Sequence, residues 1–330
     1  MNVTEFINFD RCVHSSCPKR SLPAAVYILL YVCSAAVVLL TVCGNLLVIV
    51  SVFHFKQLHT PNNMLVVSLA VSDFLIGTLV MPLLLIWMIE SCWIFGRVIC
   101  IQFILISGVL MIWSFYIIAL ISVDRCLALS NPFVYTNKIS KRTICIVTYF
   151  NWCVCLAYNI IFYYFNGLFT DYVMCPGECF FILTEVWSVI DLIYSFIFPL
   201  SVIIILYILV FMIAKKHATA IRELNNHTRP KAQKITSHSM KSERKAAKVL
   251  GILVTVFLVC LFPYFICSVL GNFIKLPAET LKKILIFGYL NSTINPFIYA
   301  LFYQWFRRCF KLIITLQIFR TDSALINVLS

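Results

Sequence analysis

EVWSVIDLIYSFIFPLSVIIILYILVFMIA, residues 185–214, runs for 30 residues with two charged side chains, Glu185 at its edge and Asp191 within. About 20 apolar residues let a helix cross the hydrocarbon of a bilayer. A soluble helix keeps one polar face, and this stretch has none. It therefore reads as a membrane-spanning helix. Six more apolar runs of spanning length flank it, at 23–51, 62–89, 97–129, 141–165, 245–273 and 280–303. The expected fold is an all-α bundle of seven transmembrane helices. Composition agrees: the 330 residues are 62% hydrophobic and 12% charged, whereas soluble domains carry about a quarter charged residues.

The runs at 97–129 and 185–214 exceed the bilayer, so they tilt or extend beyond it. QWFRRCFKLIITL, residues 304–316, is too charged at its start to insert. It reads as an amphipathic helix on the membrane surface. The organisation expected is an extracellular N-terminus at 1–22, a seven-helix domain at 23–303, and a cytoplasmic amphipathic helix and tail at 304–330.

The net charge of +13 does not point to nucleic acid, because the basic residues sit in short segments between apolar runs. With the N-terminus outside, 19 of the 26 Lys and Arg residues fall on the cytoplasmic side and 7 outside. That asymmetry sets the orientation and predicts a multi-pass protein of the plasma membrane. The N-terminus has no cleavable signal pattern, so the first apolar run is expected to act as the targeting signal. Asn2-Val3-Thr4 is a glycosylation sequon on the outer side; Asn291-Ser292-Thr293 lies inside a span and is discounted. The polar stretch 215–244 reads as a cytoplasmic loop. Six of the 15 cysteines, Cys12, Cys17, Cys92, Cys100, Cys175 and Cys179, fall in or beside outer segments, where disulfides persist.

Asp191 is the residue that needs an explanation. An ionised carboxylate in apolar surroundings is costly unless paired. No Lys or Arg lies in the interior of any of the seven spans, so its partner is expected to be a proton, a cation, water or a ligand. Ser195 sits one turn below it on the same face. HExxH, intramembrane GxGD and Gly-rich phosphate loops are missing, which argues against an enzyme. A retinal-binding lysine is missing from Ile284 to Tyr303, which argues against a light sensor. No cofactor is expected.

One mark recurs in each span, in order: Asn45 in GNLLVIV, LAVSD ending at Asp73, Cys100 and Asp124-Arg125-Cys126 at the two ends of the third, Trp152, Pro199 with Tyr207, Phe257 with CLFP, and Asn295-Pro296-Phe297-Ile298-Tyr299. Together they resemble a rhodopsin-like (class A) G-protein-coupled receptor. SVFHFKQLHTPNNML, ERKAAKVLGILVTVFLVC, GYLNSTINPFIYALFYQWFRR and CPGEC are more specifically similar to the trace amine-associated receptors, over nearly the whole chain. The resemblance implies an olfactory receptor for a small amine. It also implies a stimulatory G protein raising cyclic AMP, with arrestin and a receptor kinase as further partners. A disulfide between Cys100 and Cys179 is implied, and a second joining Cys175 to Cys12 or Cys17.

Amine receptors of this wider family carry their ammonium-binding Asp seven residues after the cysteine of the third span. Here that position is Ser107. The resemblance to fish-type trace amine receptors places the carboxylate on the fifth helix instead, at Asp191, with the amine reversed in the cavity. Ser195, Ser107, Met111, Tyr264, Phe265, Tyr289 and Phe180 are the expected pocket partners. With one deep carboxylate, a monoamine is favoured. The alternative is a receptor of the same fold for a neutral odorant or peptide, with Asp191 structural. Asp73 with Asn45, Ser114, Asn291, Ser292, Asn295 and Tyr299 resembles a sodium and water site that biases the inactive state. Asp124, Arg125, Glu243 and Tyr207 resemble the cytoplasmic switch. Cys126 and Leu261 depart from the usual Tyr and Trp, so activation is expected to pass through Phe257 and Phe262.

Overall fold

The computed structural model describes residues 22–131, 135, 137–166, 177, 179, 185–227, 249, 251–267, 278–319 and 323–328. Its helices are α1 (Ala24–His54), α2 (Pro61–Glu90), α3 (Gly96–Ser130), α4 (Lys141–Phe165), α5 (Glu185–Asp191, Leu192–Ile197 and Phe198–His227), α6 (Gly251–Cys267), α7 (Ala278–Phe302) and α8 (Gln304–Ile314). Six are long and apolar enough to cross a bilayer, and α6 is a shorter apolar helix among the described residues. Together they are the seven-helix bundle read from the sequence. α5 continues to His227, beyond the apolar run.

Local chemistry sets the helix limits. Thr60 caps α2 by accepting the Asn63 amide at 3.3 Å, with Pro61 opening the helix. Ser140 caps α4 in the same way through Thr143 N at 3.1 Å. Both fit the preference for hydroxyl caps. Pro82 and Pro199 lie inside spans. A proline offers no N–H to the carbonyl four residues back, and its ring crowds it. In each case the preceding turn widens into a π-helix, at Ile76–Val80 and Leu192–Ile197.

Three buried clusters hold the bundle. In the middle, Phe115 of α3 meets Phe196 of α5 and Phe257 and Phe265 of α6 edge-on, with centroids 4.5–5.9 Å apart. At the outer end, Trp87, Trp93, Phe103, Cys100, Cys179 and Tyr289 pack together. At the inner end, Phe55, Leu58, Tyr299, Trp305, Phe306 and Cys309 join α1, α7 and α8, with Val328 of the tail folded onto them. Gly44 lets α1 meet α7: a Cβ there would lie 2.8 Å from Pro296 Cβ and Cγ.

The outward surface stays apolar. Ile28, Tyr149, Phe150, Val186, Ile205 and Leu301 are all more than half exposed. Such a surface matches hydrocarbon rather than water, as expected of a multi-pass membrane protein. α8 follows α7 after one residue, buries Trp305, Phe306 and Cys309 and turns its arginines out. Arg307 donates to the final carbonyls of α7, Ala300 O at 2.9 Å and Leu301 O at 3.0 Å, a favourable place for a cation.

Candidate functional site

Asp191 stands where the α-helical start of α5 gives way to its π-helical turn. Ser195 Oγ donates to Asp191 Oδ1 at 2.6 Å, and Tyr158 of α4 donates to the same oxygen at 3.1 Å. Oδ2 has no protein hydrogen-bond partner among the described residues. Tyr158 is held for this task by stacking: its ring lies 3.9 Å from that of Tyr194. Tyr116 of α3 ties the same wall together by donating to Tyr194 O at 3.1 Å. The rings of Tyr163 and Tyr264 lie within electrostatic range of the carboxylate. The result is one carboxylate oxygen that accepts two hydroxyls, and one with no protein partner among the described residues.

Between α3, α6 and α7 lies a narrow apolar crevice too tight to hold a water molecule as it stands. It is lined by Met111, Leu261, Tyr264, Ile284, Leu285, Gly288 and Tyr289. Of the pocket residues expected from sequence, Met111, Tyr264 and Tyr289 line this crevice. Ser107 is buried and turns its hydroxyl back to Ile104 O at 3.1 Å. Phe265 stacks on Phe196 at 3.7 Å, within the core. Phe180 lies outside the described residues.

One expectation needs correction. The run at 280–303 is not free of buried cations. Lys282 is in fact buried in the first turns of α7, 3% exposed. Its ammonium donates to Ser91 O at 3.1 Å and to Glu279 Oε1 at 3.3 Å, and lies 4.8 Å from the centre of the Trp87 ring. The long methylene stem hides in apolar contacts while the head finds polar partners, which charge counting does not see.

The polar core is assembled around Asp73, which is fully buried. Asn295 donates to Asp73 Oδ2 at 2.7 Å. Asn45 donates to Thr41 O at 2.9 Å and Ser292 O at 3.0 Å. Ser114 pairs with Ser72 at 2.9 Å. Thr41 and Thr293, missed in the sequence, share a 2.7 Å hydrogen bond between α1 and α7. Asp73 Oδ1, Asn45 Oδ1, Asn291 Oδ1 and Tyr299 Oη are buried without a protein hydrogen-bond partner among the described residues. Orphaned oxygens of this kind fit a small hard cation or water.

At the inner end, Arg125 Nε donates to Asp124 Oδ2 at 3.0 Å, and Tyr135 donates to Oδ1 at 2.8 Å. Glu243 lies outside the described residues. Tyr207 packs its hydroxyl against Gly251 of α6, where any Cβ would collide with it. Phe257 is buried against Phe115, but Phe262, expected to share its role, is 53% exposed on the outer surface.

Cys100 and Cys179 form the expected disulfide. Cys92 is also disulfide-bonded, its partner outside the described residues. Cys12, Cys17, Cys175 and Asn2 lie outside the described residues.

Residues 44–299 match the family described as 7 transmembrane receptor (rhodopsin family), so the chain is a seven-transmembrane receptor of that family. It is 38% identical to trace amine-associated receptor 1 of Macaca mulatta, over 94% of this chain and 95% of that protein. It is 36% identical to trace amine-associated receptor 4 of Mus musculus (94% and 92%) and to trace amine-associated receptor 13c of Danio rerio (96% and 94%). The chain belongs to the trace amine-associated receptors, a family of G-protein-coupled receptors and not of enzymes.

Proposed function

We propose that this receptor is activated by a protonated amine whose ammonium pairs with Asp191 in the outer half of the bundle. The observation that carries the reading is the half-satisfied carboxylate: Tyr158 and Ser195 both donate to Oδ1, and Oδ2 has no protein partner among the described residues. An ammonium and a carboxylate offset each other's desolvation in a low-dielectric site. The tyrosines nearby add attraction of about 1–2 kcal/mol if a ring faces the cation. The apolar body of the amine points from α5 toward the crevice at α3, α6 and α7.

The receptor sits in the plasma membrane with its N-terminus outside and Asn2 glycosylated. Agonist binding frees the inner ends of α5 and α6, where Arg125 and Tyr207 stand, for a stimulatory G protein and cyclic AMP production. Receptor kinase and arrestin act on the same face. Asp73 with Asn45, Asn291 and Tyr299 would hold a sodium ion, which supplies a fixed positive charge that favours the inactive packing. The fully hydroxyl-bonded Oδ1 favours one rival, a structural Asp191 in a receptor for a neutral odorant or peptide. Comparing hexylamine with hexanol in cells displaying the receptor separates the two. The amine should raise cyclic AMP and the alcohol should not; equal potency would overturn the amine reading.

A further inference from the structure

Lys282 is a buried cation at the outer end of α7, one turn before the crevice-lining Leu285. Its ammonium is held by three features: the Ser91 carbonyl at the C-terminal end of α2, the Glu279 carboxylate, and the face of Trp87. The first is the negative end of a helix, where a lysine is stabilised. Ser91 takes a left-handed conformation, φ 60°, that presents this carbonyl. Trp87 packs in the same buried cluster as Phe103 and Tyr289. The aromatic surface at the outer end thus already holds a cation that belongs to the chain.

Lys282, Leu285 and Tyr289 follow one another at spacings of three and four, so they share one face of α7. Leu285 and Tyr289 line the crevice. Lys282 stands above them, about 10 Å along the helix from Tyr289. An amine anchored at Asp191 directs its other end toward this face. A second ammonium there meets an apolar crevice, no carboxylate among the lining residues, and the field of a buried like charge.

We propose that Lys282 is a specificity-determining residue that rejects a second positive charge, so that the receptor selects amines bearing one ammonium over diamines of the same length. The inference rests on the amine reading above. The apolar crevice disfavours a diamine by itself; Lys282 adds a charge term that substitution removes. Glu279 offsets part of that term, so its neutralisation strengthens the discrimination.

The test is cyclic AMP dose–response to hexylamine and 1,6-diaminohexane in cells displaying the full chain, for wild type, Lys282→Gln, Lys282→Arg and Glu279→Gln. Wild type should need at least about tenfold more diamine than monoamine for half-maximal response. Lys282→Gln should cut that ratio several-fold and leave the hexylamine response near wild type. Lys282→Arg should keep the ratio. Because Lys282 also joins α7 to α2, Lys282→Gln can fail to reach the surface; Glu279→Gln then decides by widening the ratio. A ratio unchanged in every surface-displayed variant, with hexylamine still active, overturns the role of Lys282 alone. Silence of displayed wild-type receptor toward both amines overturns the amine reading and this inference with it.

Discussion

Tyr158→Phe removes one hydroxyl and little else. The phenyl ring keeps the stack on Tyr194 at 3.9 Å and the contact with Phe162 at 5.6 Å, so packing on α4 is preserved. What disappears is the 3.1 Å hydrogen bond to Asp191 Oδ1. A hydrogen bond to a charged group contributes about 1.5–3 kcal/mol. Ser195 remains on the same oxygen at 2.6 Å, so the loss should sit near the lower figure, roughly tenfold in half-maximal concentration. Ser195→Ala removes the shorter bond and should cost more. The two donors share one acceptor, so the double variant should depart from additivity by at least about 0.5 kcal/mol. The assay is cyclic AMP dose–response to hexylamine, normalised to surface display. A Tyr158→Phe response within twofold of wild type would refute the idea that this hydroxyl prepares the carboxylate for a cation.

Gly44→Ala drives a methyl group to within 2.8 Å of the Pro296 ring. It should cost about 1–3 kcal/mol by overpacking, seen as a lower melting temperature of purified receptor than for Leu46→Ala on the lipid face. Gly251→Ala expels the Tyr207 hydroxyl from its seat on α6, and should change basal cyclic AMP with no change in surface display. Cys179→Ser opens a loop spanning 79 positions. Loop closure of that size is worth roughly 4–5 kcal/mol, so the variant should lose most of its surface staining.

The spans were legible because hydrocarbon imposes a composition as well as a length. α4 runs over Lys141–Phe165, the very bounds of its apolar run. Asp191 and Ser195 were legible for a related reason: a carboxylate inside an apolar run stands out, and a four-residue spacing puts a hydroxyl beside it. Tyr158 was not legible. It is one of 15 tyrosines, and only the packing of α4 on α5 brings it to the carboxylate. Lys282 was misjudged because counting charges by segment treats a lysine near a span end as solvated. Its burial depends on Trp87 and on the carbonyl of Ser91, nearly 200 residues away in the chain. The outward position of Phe262 was not legible, because adjacency in sequence does not supply the helix phase around Pro263. The polar core was half legible. The asparagines and Asp73 stand out in apolar runs, whereas Thr41 and Thr293 matter only through the pair they make between helices.

The central claim is that Asp191 receives the ammonium. Hexylamine dose–response in surface-matched cells displaying wild type, Asp191→Asn and Asp191→Glu tests it most directly. The account predicts that Asp191→Asn loses at least about a hundredfold in potency, the cost of removing one partner of a desolvated ion pair, and that Asp191→Glu recovers part of it. An Asp191→Asn receptor that answers hexylamine as wild type does would contradict the account.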